Sequence, residues 1–177
     1  MRFFRSALLF ALLFAAVPSA ARADWEPDGS VAAQLHFELG GPGERGGTLL
    51  VDLWETYGAF RLGLAAGVGV LTGSDEGESN RAFAPLGLSL GLAGMSASGV
   101  GGSATLRAGP WGGATNEGLK GGFWLSAGAS LDLRWGERLV VAFLVDYWLI
   151  AGAGEVRSTI APGVALRWTW PEEGLGW

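Results

Sequence analysis

The sequence has no cysteine, a single histidine, a single lysine and only 16% charged residues. The missing cysteine removes disulfide scaffolds, iron–sulfur clusters, thiolate zinc sites and cysteine nucleophiles together. There is no basic tract, and 12 Lys+Arg stand against 17 Asp+Glu, a balance that argues against nucleic acid as a partner. So little charge beside 49% hydrophobic content and a mean hydropathy of +0.31 excludes a disordered chain. The 31 glycines follow no triplet period, which excludes collagen. What is present is glycine and apolar side chains, over 177 residues that suffice for one domain with its own core.

Residues 1–23 read as a secretory signal peptide, leaving 24–177 as the mature domain. Arg2 and Arg5 give a positive start, Ala7 to Val17 is an unbroken apolar stretch, and Ala21-Arg22-Ala23 is an Ala-x-Ala cleavage site. The run is too short for a membrane helix, which needs about 20 residues. Cleavage removes three arginines and leaves nine basic residues against 17 acidic ones. No lipobox cysteine is present to carry a lipid anchor.

The mature chain alternates with a period of two, the signature of half-buried strands. In Ser30–Gly40 the odd positions Val31, Ala33, Leu35, Phe37 and Leu39 are apolar, and the even ones include Gln34, His36 and Glu38. The rhythm recurs through Phe60–Val70, through the leucines 86, 88, 90 and 92, and most clearly through Phe123–Trp135. Weaker copies cover Thr48–Thr56, Val100–Gly109, Leu139–Ile150 and Ile160–Trp170. Eight strands of about 9–11 residues are of the length that crosses a bilayer when tilted. The connections at 41–47, 72–82, 110–122 and 151–157 read as longer loops; those at 56–59, 94–99 and 136–138 read as short turns.

Which face is enclosed decides the class. A soluble barrel of lipocalin type would turn Leu, Val and Phe inward and show Lys, Glu and Thr to water. Here the second face is mostly Gly, Ala and Ser, and the one lysine, Lys120, falls in a loop. The expectation is therefore apolar residues outward and a narrow polar lumen, since a bilayer inverts the usual arrangement. The lumenal charges are Glu38, Asp52, Asp132 and Asp146 against Arg61, Arg107, Arg134 and Arg167, a neutral set as enclosure demands. A barrel of eight strands has room inside only for side chains. Two aromatic girdles are expected: Tyr57, Trp135, Trp168 and Trp170 near the short turns, and Phe37, Phe83, Phe123 and Tyr147 near the long loops. A rival helical reading of Ala82–Leu106, which carries no charge, conflicts with Pro85 and with the period-two leucines.

On this pattern the chain resembles the small eight-stranded outer-membrane barrels of Gram-negative bacteria, of the OmpA/OmpX type. The resemblance covers nearly all of the mature chain. Gly163-Val164-Ala165-Leu166-Arg167-Trp168 is similar to the Gly-x-x-Φ-x-Φ assembly signal of such proteins, with Gly163, Leu166 and Trp168 at its key positions. Ala161 stands where a polar residue is usual, and the chain continues beyond the strand to Trp177. The resemblance implies an all-β, up-and-down transmembrane barrel in the outer membrane with periplasmic termini. It implies contact with outer-membrane lipid, lipopolysaccharide and the barrel assembly machinery, and no cofactor.

Candidate chemistry is sparse. His36 is expected in the lumen, opposite Asp52 if the first loop centres near Glu44. A catalytic reading makes His36 a base oriented by Asp52, with Ser74 as nucleophile. Lipid A acyltransferases and deacylases are similar in architecture, but no matching local motif occurs here. Asp75, Glu76 and Glu78 lack Ca²⁺-loop spacing, and the Gly-x-Gly pairs lack the strand–helix context of a dinucleotide site, so neither metal nor nucleotide is expected. The preferred function is structural or interactive, through the loops. The alternatives are a conduit for small apolar ligands, through a gap at Gly63, Gly67 and Gly69, or a lipid-modifying enzyme.

Overall fold

A computed structural model describes residues 26–39, 43, 45–73, 81–115, 118–152 and 154–169. The signal segment, Ser74, the acidic residues 75–78 and Trp170 lie outside them. Eight strands follow in chain order: β1 (Glu26–Glu38), β2 (Arg45–Tyr57), β3 (Phe60–Thr72), β4 (Arg81–Met95), β5 (Val100–Thr115), β6 (Gly118–Trp135), β7 (Leu139–Gly152) and β8 (Glu155–Thr169). Each pairs antiparallel with the next, and β8 pairs with β1, closing an up-and-down barrel. Every expected strand is present. Ala82–Leu106, the segment open to a helical reading, is most of β4, a turn and the first half of β5.

The strands outrun the expectation at the loop end. Residues 110–122 were expected as a long loop, yet β5 runs to Thr115, β6 starts at Gly118, and Thr115 pairs directly with Gly118. Gly152 likewise pairs with Glu155, so 151–157 is mostly strand. Glycine-rich sequence hid these strands, because glycine carries no side chain to mark a face. At the other end, Tyr57 pairs with Phe60 across Gly58-Ala59, with Gly58 at φ 59°, a backbone only glycine adopts freely.

Apolar side chains cover the outside. On β3, Leu62, Leu64, Val68 and Val70 are exposed while Ala65, Gly69 and Leu71 turn inward; on β4, Leu86, Leu88, Leu90 and Leu92 are exposed while Ser89 and Gly91 are buried. The same alternation runs round all eight strands, so the exposed leucines, valines and phenylalanines form one continuous belt. Such a belt far exceeds the few hundred Å² of apolar patch usual on a soluble monomer.

Candidate functional site

The enclosed face carries a polar network in its middle. Arg107 of β5 forks onto Asp52 of β2, Nε to Oδ1 at 2.8 Å and Nη2 to Oδ2 at 3.0 Å, and its Nη1 donates to Asp146 of β7 at 2.9 Å. A planar guanidinium suits this task, because it can satisfy two carboxylates in a fixed geometry. Gln34 Nε2 donates to the same Asp146 oxygen at 2.6 Å, and Ser30 Oγ donates to Asp52 at 3.3 Å. A Cβ on Gly128 would lie 1.6 Å from Asp146 Oδ1, so only glycine leaves a seat for that carboxylate.

Toward the short-turn end, Arg167 pairs with Asp132 and donates to Ser130 Oγ at 3.2 Å. Arg61 pairs with Asp28 at 2.7 Å. Both guanidiniums lie over the Trp54 ring, at 5.2 Å for Arg61 and 5.9 Å for Arg167, and the indole N–H of Trp54 donates to Ser89 at 2.8 Å. Cation–π attraction and ion pairing therefore act on the same two arginines.

Toward the long-loop end the filling is aromatic. Trp124 stacks on Trp148 with centroids 4.8 Å apart, and Trp148 meets His36 edge-on at 5.0 Å. Phe83 packs edge-on against both His36 and Trp148. His36 is buried between two hydroxyls, with Nε2 2.7 Å from Thr48 Oγ1 and Nδ1 2.9 Å from Thr159 Oγ1. The glycines of β3 do not leave a gap. A Cβ on Gly63 would meet Trp54 at 2.7 Å, one on Gly67 would meet Leu50 at 3.0 Å, and one on Gly69 would meet the Phe83 ring at 2.6 Å. At Gly63 and Gly67 the β2 carbonyls of Leu53 and Leu49 come closer still, at 2.0 and 2.6 Å.

Of the expected lumenal residues, His36, Asp52, Arg107, Asp132, Asp146 and Arg167 are buried and connected as described. Arg61 is half-buried, and Glu38 lies half-exposed at the end of β1. Arg134 is exposed at the short-turn end, outside the buried network, because its strand has left the enclosed part of the barrel there. His36 does not face Asp52. Asp52 pairs with Ser30 and His36 with Gly46, in a register that sets Phe37 against Arg45. The dyad of the catalytic reading is therefore not formed.

Tyr57, Trp135, Phe37, Phe123 and Tyr147 are exposed on the outer face, and Trp168 lies half-exposed there. Phe83 is the exception in that set. It points inward, as the parity of the leucines at 86–92 requires. Asp28 joins the lumenal set: β1 begins before Ser30, and Asp28 continues its even, inward positions. Gly163, Leu166 and Trp168 all fall in β8, the first facing in and the other two out. Among the described residues no group of three or more His, Asp or Glu is placed to hold a metal ion.

The barrel is similar to solved outer-membrane proteins. It superposes on Neisserial surface protein A with a TM-score of 0.64 at 10% identity, over 82% of this chain and 97% of that one. With the outer-membrane protein OprG from Pseudomonas aeruginosa the score is 0.52 at 12% identity, over 84% and 97% of the two chains. Identities this low show a shared fold. No protein-family profile matches the chain, and no curated protein sequence matches it. The fold is thus that of the small outer-membrane barrels.

Proposed function

We propose that the chain is an integral outer-membrane barrel whose lumen is a plug and whose role is structural or interactive, carried by the segments joining the strands at the long-loop end. The observation that carries this reading is the pairing of an all-round apolar belt with an interior of buried ion pairs and stacked aromatics. Lipid is the solvent that makes the first favourable, and a closed barrel is the sheet that leaves no backbone edge in it. In this reading the termini are periplasmic, and Gly163, Leu166 and Trp168 mark β8 for the assembly machinery. The filled seats at Gly63, Gly67 and Gly69 favour a plug over a conduit, and the interior position of His36 favours a packing role over catalysis.

The test is a gel of membrane fractions with and without boiling, joined to a leak assay on reconstituted vesicles. The folded barrel is expected in the outer-membrane fraction, with a boiling-dependent shift and no dye release above empty vesicles. A mature chain that stays monodisperse in plain buffer overturns the membrane reading; fast release overturns the plug.

A further inference from the structure

Four prolines fall in strands; Pro27, at the start of β1, stays paired with Glu55, and the other three each interrupt one ladder. The β3–β4 pairing skips Gly67 and Val68 against Ala84 and Pro85, the β4–β5 pairing skips Leu86 and Gly87 against Gly109 and Pro110, and the β1–β8 pairing skips Leu35 and His36 against Ala161 and Pro162. Proline has no N–H, so the opposing carbonyl loses its ladder donor. At Pro110 a lumenal side chain replaces it: the indole N–H of Trp124 donates to the Leu86 carbonyl at 3.1 Å.

The carbonyl opposite Pro162 is that of Leu35. On β8 the Ser158 carbonyl accepts the Leu39 N–H at 2.9 Å, so even positions of β8, Pro162 among them, turn their backbone groups toward β1. On β1 the Ala33 carbonyl lies 2.3 Å from where a Gly163 Cβ would sit, so odd positions, Leu35 among them, turn theirs toward β8. Among the described residues no side chain stands in for the missing donor at Leu35. An unsatisfied carbonyl facing hydrocarbon costs several kcal/mol.

At this interruption the outer wall is dented. A depression of about 370 Å³ is lined by Ala33, Gln34, Leu35, Pro162, Gly163 and Val164. The interruption at Pro85 borders a larger dent through Val68 and Ala84, but neither Gly67 nor Pro85 lines that one. Leu35 lies two residues below Phe37 of the loop-end girdle, which is about 5 Å deeper for a tilted strand. A donor at that depth sits just beneath the headgroups.

We propose, on the membrane reading above, that this depression is a lipid site that selects an acyl chain hydroxylated near its carboxyl end, whose O–H donates to the Leu35 carbonyl while the chain lies along Ala33 and Val164. A hydroxyl near the carboxyl end of an acyl chain brings a donor to an apolar surface at this level.

The test is competition for the purified barrel between a phosphatidylglycerol bearing a 3-hydroxytetradecanoyl chain and its unhydroxylated counterpart, read by native mass spectrometry. Wild type is expected to retain the hydroxylated lipid about fivefold over the other, the worth of one net hydrogen bond. Pro162→Ala restores the N–H to Leu35 and is expected to bring the ratio to about one, with Pro162→Val as a second variant of the same kind. Pro110→Ala, where Trp124 already serves the carbonyl, keeps the preference. Equal retention by wild type overturns the site alone, as does a preference that survives Pro162→Ala. A wild-type chain that stays soluble without detergent or lipid overturns the membrane reading and the site with it.

Discussion

Arg107 is the residue on which the interior charge depends. It is 3% exposed and bonded to two carboxylates, and both of these are buried too. Removing one partner of such an arrangement leaves charge without compensation, at a cost of about 3–5 kcal/mol. Arg107→Leu should lower the urea stability of the vesicle-reconstituted barrel by that amount. The triple change Arg107→Leu, Asp52→Asn, Asp146→Asn should recover most of it, because the uncompensated charge is then gone. Gly128→Ala tests the same site from the wall. With no space for a Cβ beside Asp146, the carboxylate must leave Arg107, and a loss of about 2–4 kcal/mol in the same unfolding assay is expected. The sequence alternation alone sends Asp52, Arg107 and Asp146 to the same face of their strands. That one guanidinium reaches both carboxylates depends on which residues stand opposite across eight strands, and residue types do not carry that information.

At the scale of the strand, proline is compensated from within. Trp124 on β6 reaches across β5 to the Leu86 carbonyl of β4, so the side chain of one strand completes the ladder between two others. Trp124→Phe keeps the stacking surface and removes the donor, and should destabilise the barrel by about 1–3 kcal/mol in urea unfolding. Adding Pro110→Ala supplies the ladder N–H and should return most of that loss. An additive double mutant would show that the indole bond and the missing ladder bond are independent. Strand number and outward face were legible from period-two spacing, and the up-and-down order came with the family resemblance. Strand ends were less so, since the glycines at 112, 113, 118, 121 and 122 leave the pattern blank where β5 and β6 extend. The inward turn of Phe83 was legible in the parity: counting by two from Leu86 through Ala84 leaves residue 83 on the inner face, whatever the preference of aromatics for interfaces.

For the whole molecule the proposed reading means a barrel closed by its contents. Charged residues fill the short-turn half and the middle, and Trp124, Trp148, Phe83 and His36 fill the long-loop half. Trp148→Ala should cost about 3–5 kcal/mol, the range for a large buried aromatic. Combined with Phe83→Ala it should turn a tight vesicle into one that leaks small ions, measured as conductance across a planar bilayer. Unchanged conductance in the folded double variant would place the seal in the charged layer instead.

The sequence by itself determined the strand count, the outward apolar face and the identity of most enclosed charges, because alternation is a local property that the pleat converts directly into two faces. Only the tertiary structure decided that His36 lies between Thr48 and Thr159 rather than beside Asp52, that Trp124 stacks on Trp148, and that Leu35 meets Pro162 at the closing seam. Those facts depend on register between strands, which is set by closing the whole barrel at once and leaves no mark on any single segment.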